Sequence, residues 1–229
     1  MALPYYVSPE QMMADKAEYA KKGIAKGRSI IAMEYADGVL LVADNPSASL
    51  HKISEMYDRM AFAGAGKYNE FEMLRKAGIR HADLKGYMYS REDVTAKSLA
   101  NAYSQTIGTV FSNDPKPLEV EILVVEVGEG EKLNEIYRIS FDGSIIDERG
   151  VAAIGGKAEA LMAYLKNRWS TPSVSLKEAL RLSIEALDTI TSQKLGADVL
   201  EVAVLDRTRP GRTFRRITPT EIGSLLKVS

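Results

Sequence analysis

Residues 29–44, with the sequence SIIAMEYADGVLLVAD, decide the fold because they hold two apolar segments joined by a tight-turn signal. The stretches Ser29–Tyr35 and Val39–Ala43 are typical of β-strands. Asp37-Gly38 between them is a pair that favours two-residue hairpin turns. Since strands joined by a tight turn must run in opposite directions, the sequence predicts an antiparallel pair here.

Further strands and helices are predicted after this hairpin. A second hairpin leads from Lys52–Ser54 through Glu55–Asp58 to Met60–Ala65. Later strands are predicted at Leu118–Val127, Glu135–Phe141, Ile145–Ile146, Val151–Ile154, Asp198–Leu205 and Thr213–Ile217. Apolar residues at helical spacing predict helices at Tyr68–Tyr87, Val94–Phe111, Ser175–Gln193 and Pro219–Lys227, and another that follows Gly155-Gly156 and continues through Trp169.

Another helix is predicted before the hairpin, over residues 9–27. Ser8 is a capping residue, Pro9 suits the first helical position, and Gln11 completes a capping box from the third. Gly27 is a typical helix stop. Because no repeat or linker divides the chain, residues 1–229 are expected to form one domain.

The order of these elements favours a layered architecture. Tight turns make the strands antiparallel, and each consecutive pair of helices needs a sheet face against which to bury its apolar stripe. Two antiparallel sheets packed together, with helices outside each, meet both requirements. The sequence therefore predicts an α+β fold, a four-layer α/β/β/α sandwich, although the pattern also allows a single large sheet.

Composition excludes several classes of protein. The 229 residues include no cysteine and two histidines, so we expect no disulfide framework, no metal site and no cofactor. The 30 basic and 31 acidic residues give a net charge of −1, which argues against nucleic-acid binding. The apolar runs are far shorter than the ~20 residues that span a bilayer, and no signal peptide is evident. We expect a cytoplasmic protein that does not bind membranes and, with its near-zero charge, tends to associate.

Candidate chemical groups are few. His51 and His81 have no serine partner by motif, and we expect surface or packing roles for them. Gly155-Gly156-Lys157 lacks the spacing of a phosphate-binding loop and predicts tight strand-to-helix packing instead. The arginines between 207 and 216 alternate with apolar residues, which is typical of a solvated strand face.

The chain resembles the proteasome α subunits of actinobacterial type along nearly its whole length. The segments that carry the resemblance are Tyr5–Gln11, Lys22–Gly27, Gly38–Ser47, Lys52–Arg59, Gly66–Phe71, Ser98–Tyr103, Tyr137–Ile139, Asp142–Ile145, Leu200–Asp206 and Phe214–Ile217. Residues 128–135 and 151–157 diverge most, so no functional role is transferred to them.

The resemblance implies the Ntn-hydrolase sandwich and a structural role. Seven identical α subunits would form a ring that caps β subunits, templates their assembly and admits unfolded protein substrates. Sibling β subunits use a threonine at the mature N-terminus, whose free amine serves as the base. Counted back from Asp44, that position falls near Arg28-Ser29, inside the chain. The resemblance therefore implies a subunit with no catalytic residue.

The same resemblance implies a docking pocket and a gate. Lys52, with Lys26 and Gly27 at the end of the first helix, would line a pocket between neighbouring subunits. This pocket would accept the C-terminal tails of ring-shaped activators, ATPase or ATP-independent, which end in a motif like Gly-Gln-Tyr-Leu. The tail of residues 1–8 would be the gate of the axial pore, formed by Leu3, Pro4, Tyr5, Tyr6, Val7 and Ser8.

Two alternatives stay open. The first is an active subunit with an N-terminal nucleophile, which would need processing to a free threonine or serine. The second is a stand-alone hydrolase of the same fold, which would elute as a monomer.

Overall fold

The computed structural model describes residues 7–169, 171 and 173–227; four of the predicted gate residues, Leu3, Pro4, Tyr5 and Tyr6, lie outside them. The helices are α1 (Pro9–Ala25), α2 (Tyr68–Met88), α3 (Ala96–Asn113), α4 (Ala158–Lys166), α5 (Leu176–Thr191) and α6 (Pro219–Leu226). The strands are β1 (Ile30–Tyr35), β2 (Gly38–Asp44), β3 (Ile53–Tyr57), β4 (Met60–Gly66), β5 (Val120–Glu126), β6 (Glu135–Ile139), β7 (Ile145–Glu148), β8 (Val151–Ile154), β9 (Leu200–Asp206) and β10 (Phe214–Ile217).

The hairpin predicted at residues 29–44 forms β1 and β2. Ile30 pairs with Ala43, and Tyr35 pairs with Gly38 across the turn. Gly38 has a φ of 155°, and a side chain there would collide with the carbonyl oxygen of Leu205 on the next strand. β9 pairs with the other edge of β2 and β8 with the other edge of β1, so the hairpin lies inside its sheet. Every residue of β2 is buried, because apolar cores cover both faces of this strand.

The strands form two separate five-stranded sheets. The first has the order β10-β9-β2-β1-β8, and the second has the order β3-β4-β5-β6-β7. All neighbouring strands are antiparallel. The single large sheet that the sequence pattern also allowed does not form within the residues that the structure describes.

Three apolar cores define the four predicted layers, which confirms the fold class. The first core lies between the two sheets and includes Ala32, Leu41, Ala63 and Leu123. The second packs α4 and α5 on the first sheet, around Met33, Leu40, Leu161 and Leu187. The third packs α2 and α3 on the second sheet, around Phe62, Phe71, Leu99 and Ile107.

Some predicted helix ends were wrong. α4 ends at Lys166, because Trp169 leaves the helix: its indole packs against Gly150 and donates to the carbonyl of Glu34 at 3.3 Å. At the start of α1, Ser8 accepts from the Gln11 backbone at 3.2 Å as predicted. The side chain of Gln11 donates to Asp15 at 2.7 Å instead of completing a capping box.

Candidate functional site

The candidate site begins where α1 ends. Lys26 is the C-cap residue of α1 and is exposed, and Gly27 follows it half-buried. A Cβ at position 27 would lie 2.8 Å from the backbone nitrogen of Gly66, so the end of the helix lies directly against β4. The carbonyl of Gly27 accepts from Gly156 at 3.0 Å. The tight packing predicted at Gly155-Gly156 is thereby confirmed. The end of α1 is held by β4 on one side and by Gly156 on the other.

An ion pair occupies the position where the resemblance would put a nucleophile. Nη1 of Arg28 lies 2.7 and 2.8 Å from the two carboxylate oxygens of Asp44, at the end of β2. The Asp44 side chain is 6% exposed, whereas that of Arg28 is 51% exposed. Ser29 is buried, and its carbonyl accepts from the Asp44 backbone at 3.2 Å. At this position the chain therefore has the guanidinium of Arg28, bound to the buried carboxylate of Asp44.

Lys52 lies half-buried beside this pair, just before β3. Its Nζ is 5.8 Å from the centre of the Phe71 ring, within the range of a cation–π contact. Burial lowers the pKa of Lys52; the carboxylates of Glu201 and Asp44 partly oppose this shift, and the positive charge of Arg28 adds to it. The charges of Arg28, Asp44 and Lys52 therefore act on one another at one site.

Glu201 holds the loop that presents Lys52, and the sequence analysis missed it. Its carboxylate accepts from the backbones of Lys52 at 2.8 Å and Ile53 at 3.2 Å, and from the Asn45 amide at 2.7 Å. Arg216 donates to the same carboxylate at 2.6 Å. The one local signal is an acidic residue inside the apolar strand Leu200–Asp206.

The prediction that the arginines between 207 and 216 form a solvated strand face was only partly right. Several of them bind groups within the fold. Arg216 donates both to Glu201 and to the carbonyl of Ile53 at 2.6 Å, and Arg215 donates to Glu221 at 2.5 Å. Arg212 is exposed and pairs with Glu55. A strand pattern shows the alternation of these residues but not their partners, which come from β3, β9 and α6.

The two histidines lie at the surface, as predicted. His51 and His81 are both exposed. Nδ1 of His51 is 3.4 Å from Glu201, at the rim of the Lys52 loop.

α1 lies outside the four layers and has few buried residues. Ala20 and Ile24 are its buried apolar side chains, facing β4 and β5. Lys16 is also buried and donates to the carbonyl of Phe111, in the last turn of α3, at 3.1 Å. Gly23 brings the helix against the side chain of Glu119. α1 therefore packs on the rest of the subunit through few buried side chains.

A charged cluster lies against one side of α1, beside Tyr19 and Gly23. Lys116 pairs with Glu70 at 2.8 Å and Glu119 at 3.0 Å, and Lys67 lies 3.6 Å from Glu70. Nζ of Lys116 is also 5.6 Å from the ring of Tyr19 on α1. Lys116 therefore links α1 to the start of α2 through one cation.

Two of the predicted gate residues fall within the described part of the chain. Val7 is 42% exposed, and Ser8 caps α1. The segment predicted to form a gate therefore leads into the N-terminal end of α1, while Lys26 and Gly27 lie at the opposite end of that helix. No helix in the described ranges is long and apolar enough to cross a membrane.

Comparisons with known proteins give one family. The family model "Proteasome subunit" matches residues 24–205. A protein from Thermomonospora curvata named "Proteasome subunit alpha" is 55% identical over 227 residues, covering 99% of this chain and 98% of the relative. Proteins of the same name from Streptomyces scabiei and Kineococcus radiotolerans are 54% and 52% identical, again over 99% of this chain and over 93% and 98% of their own lengths.

Proposed function

Because the chain belongs to the proteasome subunit family, we propose that it is a noncatalytic α subunit of a bacterial 20S-type core particle. The relatives named above carry the name "Proteasome subunit alpha" and align with nearly all of this chain. In this role it joins six identical copies in a ring, caps and templates the β ring, and forms the gated entrance for unfolded substrates on their way to degradation.

The Arg28–Asp44 ion pair is the observation that carries the noncatalytic assignment. An N-terminal nucleophile needs a free α-amine beside its hydroxyl to act as the base. In the uncut chain the backbone continues from α1 through Arg28 into β1, so Ser29 has a peptide nitrogen in place of an amine. The guanidinium of Arg28 already binds the carboxylate of Asp44. Lys52 lies nearby, yet a lysine without a nucleophile does not hydrolyse a peptide.

We assign Lys52 a binding role instead. A half-buried ammonium forms a charge-assisted hydrogen bond with a carboxylate, and such a bond is about twice as strong as a neutral one. The C-terminal carboxylate of an activator tail supplies that group. We assign Lys26 and Gly27 to a wall of the same pocket, because they follow the last turn of α1 and directly precede Arg28, whose charge acts on Lys52.

α1 connects this pocket to the gate. An activator tail bound at the Lys26 end of α1 would tilt a helix whose buried side chains are Lys16, Ala20 and Ile24. The opposite end of α1 carries Val7 and Ser8, so the tilt would displace the gate tail. This is a population shift, and it requires the activator tail to bind the open arrangement more tightly than the closed one.

Substitution of Lys52 tests the proposed docking function. In particles assembled with the β subunit, Lys52→Met keeps an apolar stem over Phe71 and removes the charge. We expect binding of a peptide ending in Gly-Gln-Tyr-Leu to weaken by about tenfold to a hundredfold, since a hydrogen bond to a charged group contributes about 1.5–3 kcal/mol. Calorimetry measures this affinity directly.

Lys97→Met is the matched control, because Lys97 is an exposed lysine on α3, away from this site. It should bind the peptide as the wild type does. Equal affinity for the peptide in the Lys52→Met and wild-type particles would show that the docking pocket lies elsewhere.

A further inference from the structure

The charged groups around Lys52 form two ion pairs and leave one positive charge unpaired by them. Two carboxylates act on Lys52, those of Asp44 and Glu201, and their side chains are only 6% and 8% exposed. Glu201 accepts from the Lys52 backbone at 2.8 Å, and also from the side chain of Asn45, the residue after Asp44, at 2.7 Å. Each carboxylate has its own arginine partner: Arg28 on Asp44 at 2.7 Å, and Arg216 on Glu201 at 2.6 Å. With both ion pairs formed, the charge of Lys52 is left over, and the site carries one net positive charge.

We propose that Arg28 is a specificity-determining residue of this site, which keeps it selective for a carboxylate by neutralising Asp44. This inference rests on the proposed docking function. Without Arg28, the buried Asp44 carboxylate would face Lys52 uncompensated, and the site would have no net charge with which to attract an anion. A ligand carboxylate would then compete with Asp44 for the same ammonium.

The exposures of the two side chains support this role. Asp44 is closed off from solvent, while half of the Arg28 side chain remains open. An approaching anion therefore meets the Arg28 guanidinium before it meets the Asp44 carboxylate that this guanidinium binds. The Coulomb energy between two charges grows as water is excluded, so one uncompensated buried carboxylate has a large effect at this position.

The two arginines differ in a way that makes the test possible. Arg216 also donates to the carbonyl of Ile53 at 2.6 Å, so its removal would disturb the start of β3. Both hydrogen bonds of Arg28 run from Nη1 to Asp44. Removing Arg28 therefore exposes one carboxylate, and removing the charge of Asp44 at the same time restores the balance.

A charge-rescue experiment tests the proposal. Particles assembled with the β subunit would carry Arg28→Gln, Asp44→Asn, both changes together, Arg28→Lys, or Lys52→Met. The probe is a peptide ending in Gly-Gln-Tyr-Leu with a free carboxylate, and the control probe is the same peptide with an amidated C-terminus. Native mass spectrometry checks that each particle assembles, and calorimetry gives the affinities.

We expect Arg28→Gln to weaken binding of the free-acid peptide by about tenfold or more. The double variant should recover to within about threefold of the wild type, and so should Arg28→Lys, which keeps the charge. The amidated peptide should bind every variant equally weakly. A merely structural role for Arg28 would not be rescued by Asp44→Asn.

Three results overturn the proposal, and they differ in what else they refute. Suppose that Lys52→Met is defective. The role of Arg28 is then refuted, and docking at Lys52 stands, if Arg28→Gln binds the free acid as the wild type does. The same holds if the double variant binds as weakly as Arg28→Gln. If Lys52→Met binds the free acid normally, the docking function is refuted, and the role of Arg28 with it.

Discussion

Lys16 anchors α1 to the body of the subunit, and replacing it should loosen that helix selectively. The Lys16 side chain is buried, and its ammonium donates to the Phe111 carbonyl at 3.1 Å in the last turn of α3. A cation at the C-terminal end of a helix also interacts favourably with the helix dipole. The Lys16→Met substitution keeps the apolar stem and removes both interactions.

The size of the effect follows from opposing terms. A hydrogen bond from a charged group contributes about 1.5–3 kcal/mol, and the helix dipole adds about 0.3–1 kcal/mol. Relief of the cost of burying an ammonium returns part of this. We expect α1 to lose about 1–2 kcal/mol of docking free energy, which raises its population of undocked states by about 5-fold to 30-fold.

Hydrogen exchange read by mass spectrometry measures this opening in assembled particles. Amides of residues 9–25 should exchange faster in the Lys16→Met particle, while those of β2 and β9 keep their protection. Lys22→Met is the matched control on the same helix. Lys22 is 72% exposed and pairs with Glu18 at i,i+4, so its loss should change exchange by about twofold at most. Equal exchange in the two variants, or faster exchange throughout the subunit, would refute the assignment of Lys16 as the anchor.

Three other perturbations have defined outcomes. Deleting residues 2–7 while retaining the Ser8 cap should speed the degradation of a long unstructured protein such as casein; equal rates would refute the gate. Tyr103→Phe should cost about 1 kcal/mol of unfolding free energy in denaturant titrations, because the buried hydroxyl donates to the Leu74 carbonyl at 3.0 Å; an unchanged midpoint would contradict this. Burial raises the pKa of Glu126, so the stability it contributes is present at low pH and is lost as the pH rises through its folded-state pKa. Glu126→Gln keeps an acceptor for the Ala96 backbone. Its free energy of unfolding, compared with that of the wild type, should therefore be higher at pH 8 than at pH 5. A difference between variant and wild type that does not change with pH would contradict the reasoning.

Most helices and strands of this fold are specified by residues that are close in the sequence, and they could therefore be predicted from it. The hairpin at residues 29–44 and the Ser8 cap each depend on residues a few positions apart, and both form as predicted. The turn itself lies one residue earlier than predicted, at Ala36-Asp37, because Gly38 already pairs with Tyr35 as the first residue of β2. Helix ends that depend on distant contacts could not be predicted. Trp169 leaves α4 because it donates to Glu34, a partner 135 positions away.

The candidate site could be predicted only in part, for the same reason. The resemblance pointed to Lys52, Lys26 and Gly27, but the group that holds the Lys52 loop is Glu201, 149 positions further along the chain. Spacing within a strand does not reveal such a partner. The pairing of Arg28 with Asp44 also depends on the register of β1 against β2 and was not predicted, although both positions had been noted.

Labelling with a peptide epoxyketone tests the central claim most directly. This reagent reacts with both the hydroxyl and the free amine of an N-terminal threonine, and the claim is that this chain presents Arg28 where that residue would stand. We expect intact masses from the treated particle to show the adduct on the β chain and none on this chain. An adduct on this chain, together with cleavage before residue 29, would contradict the account.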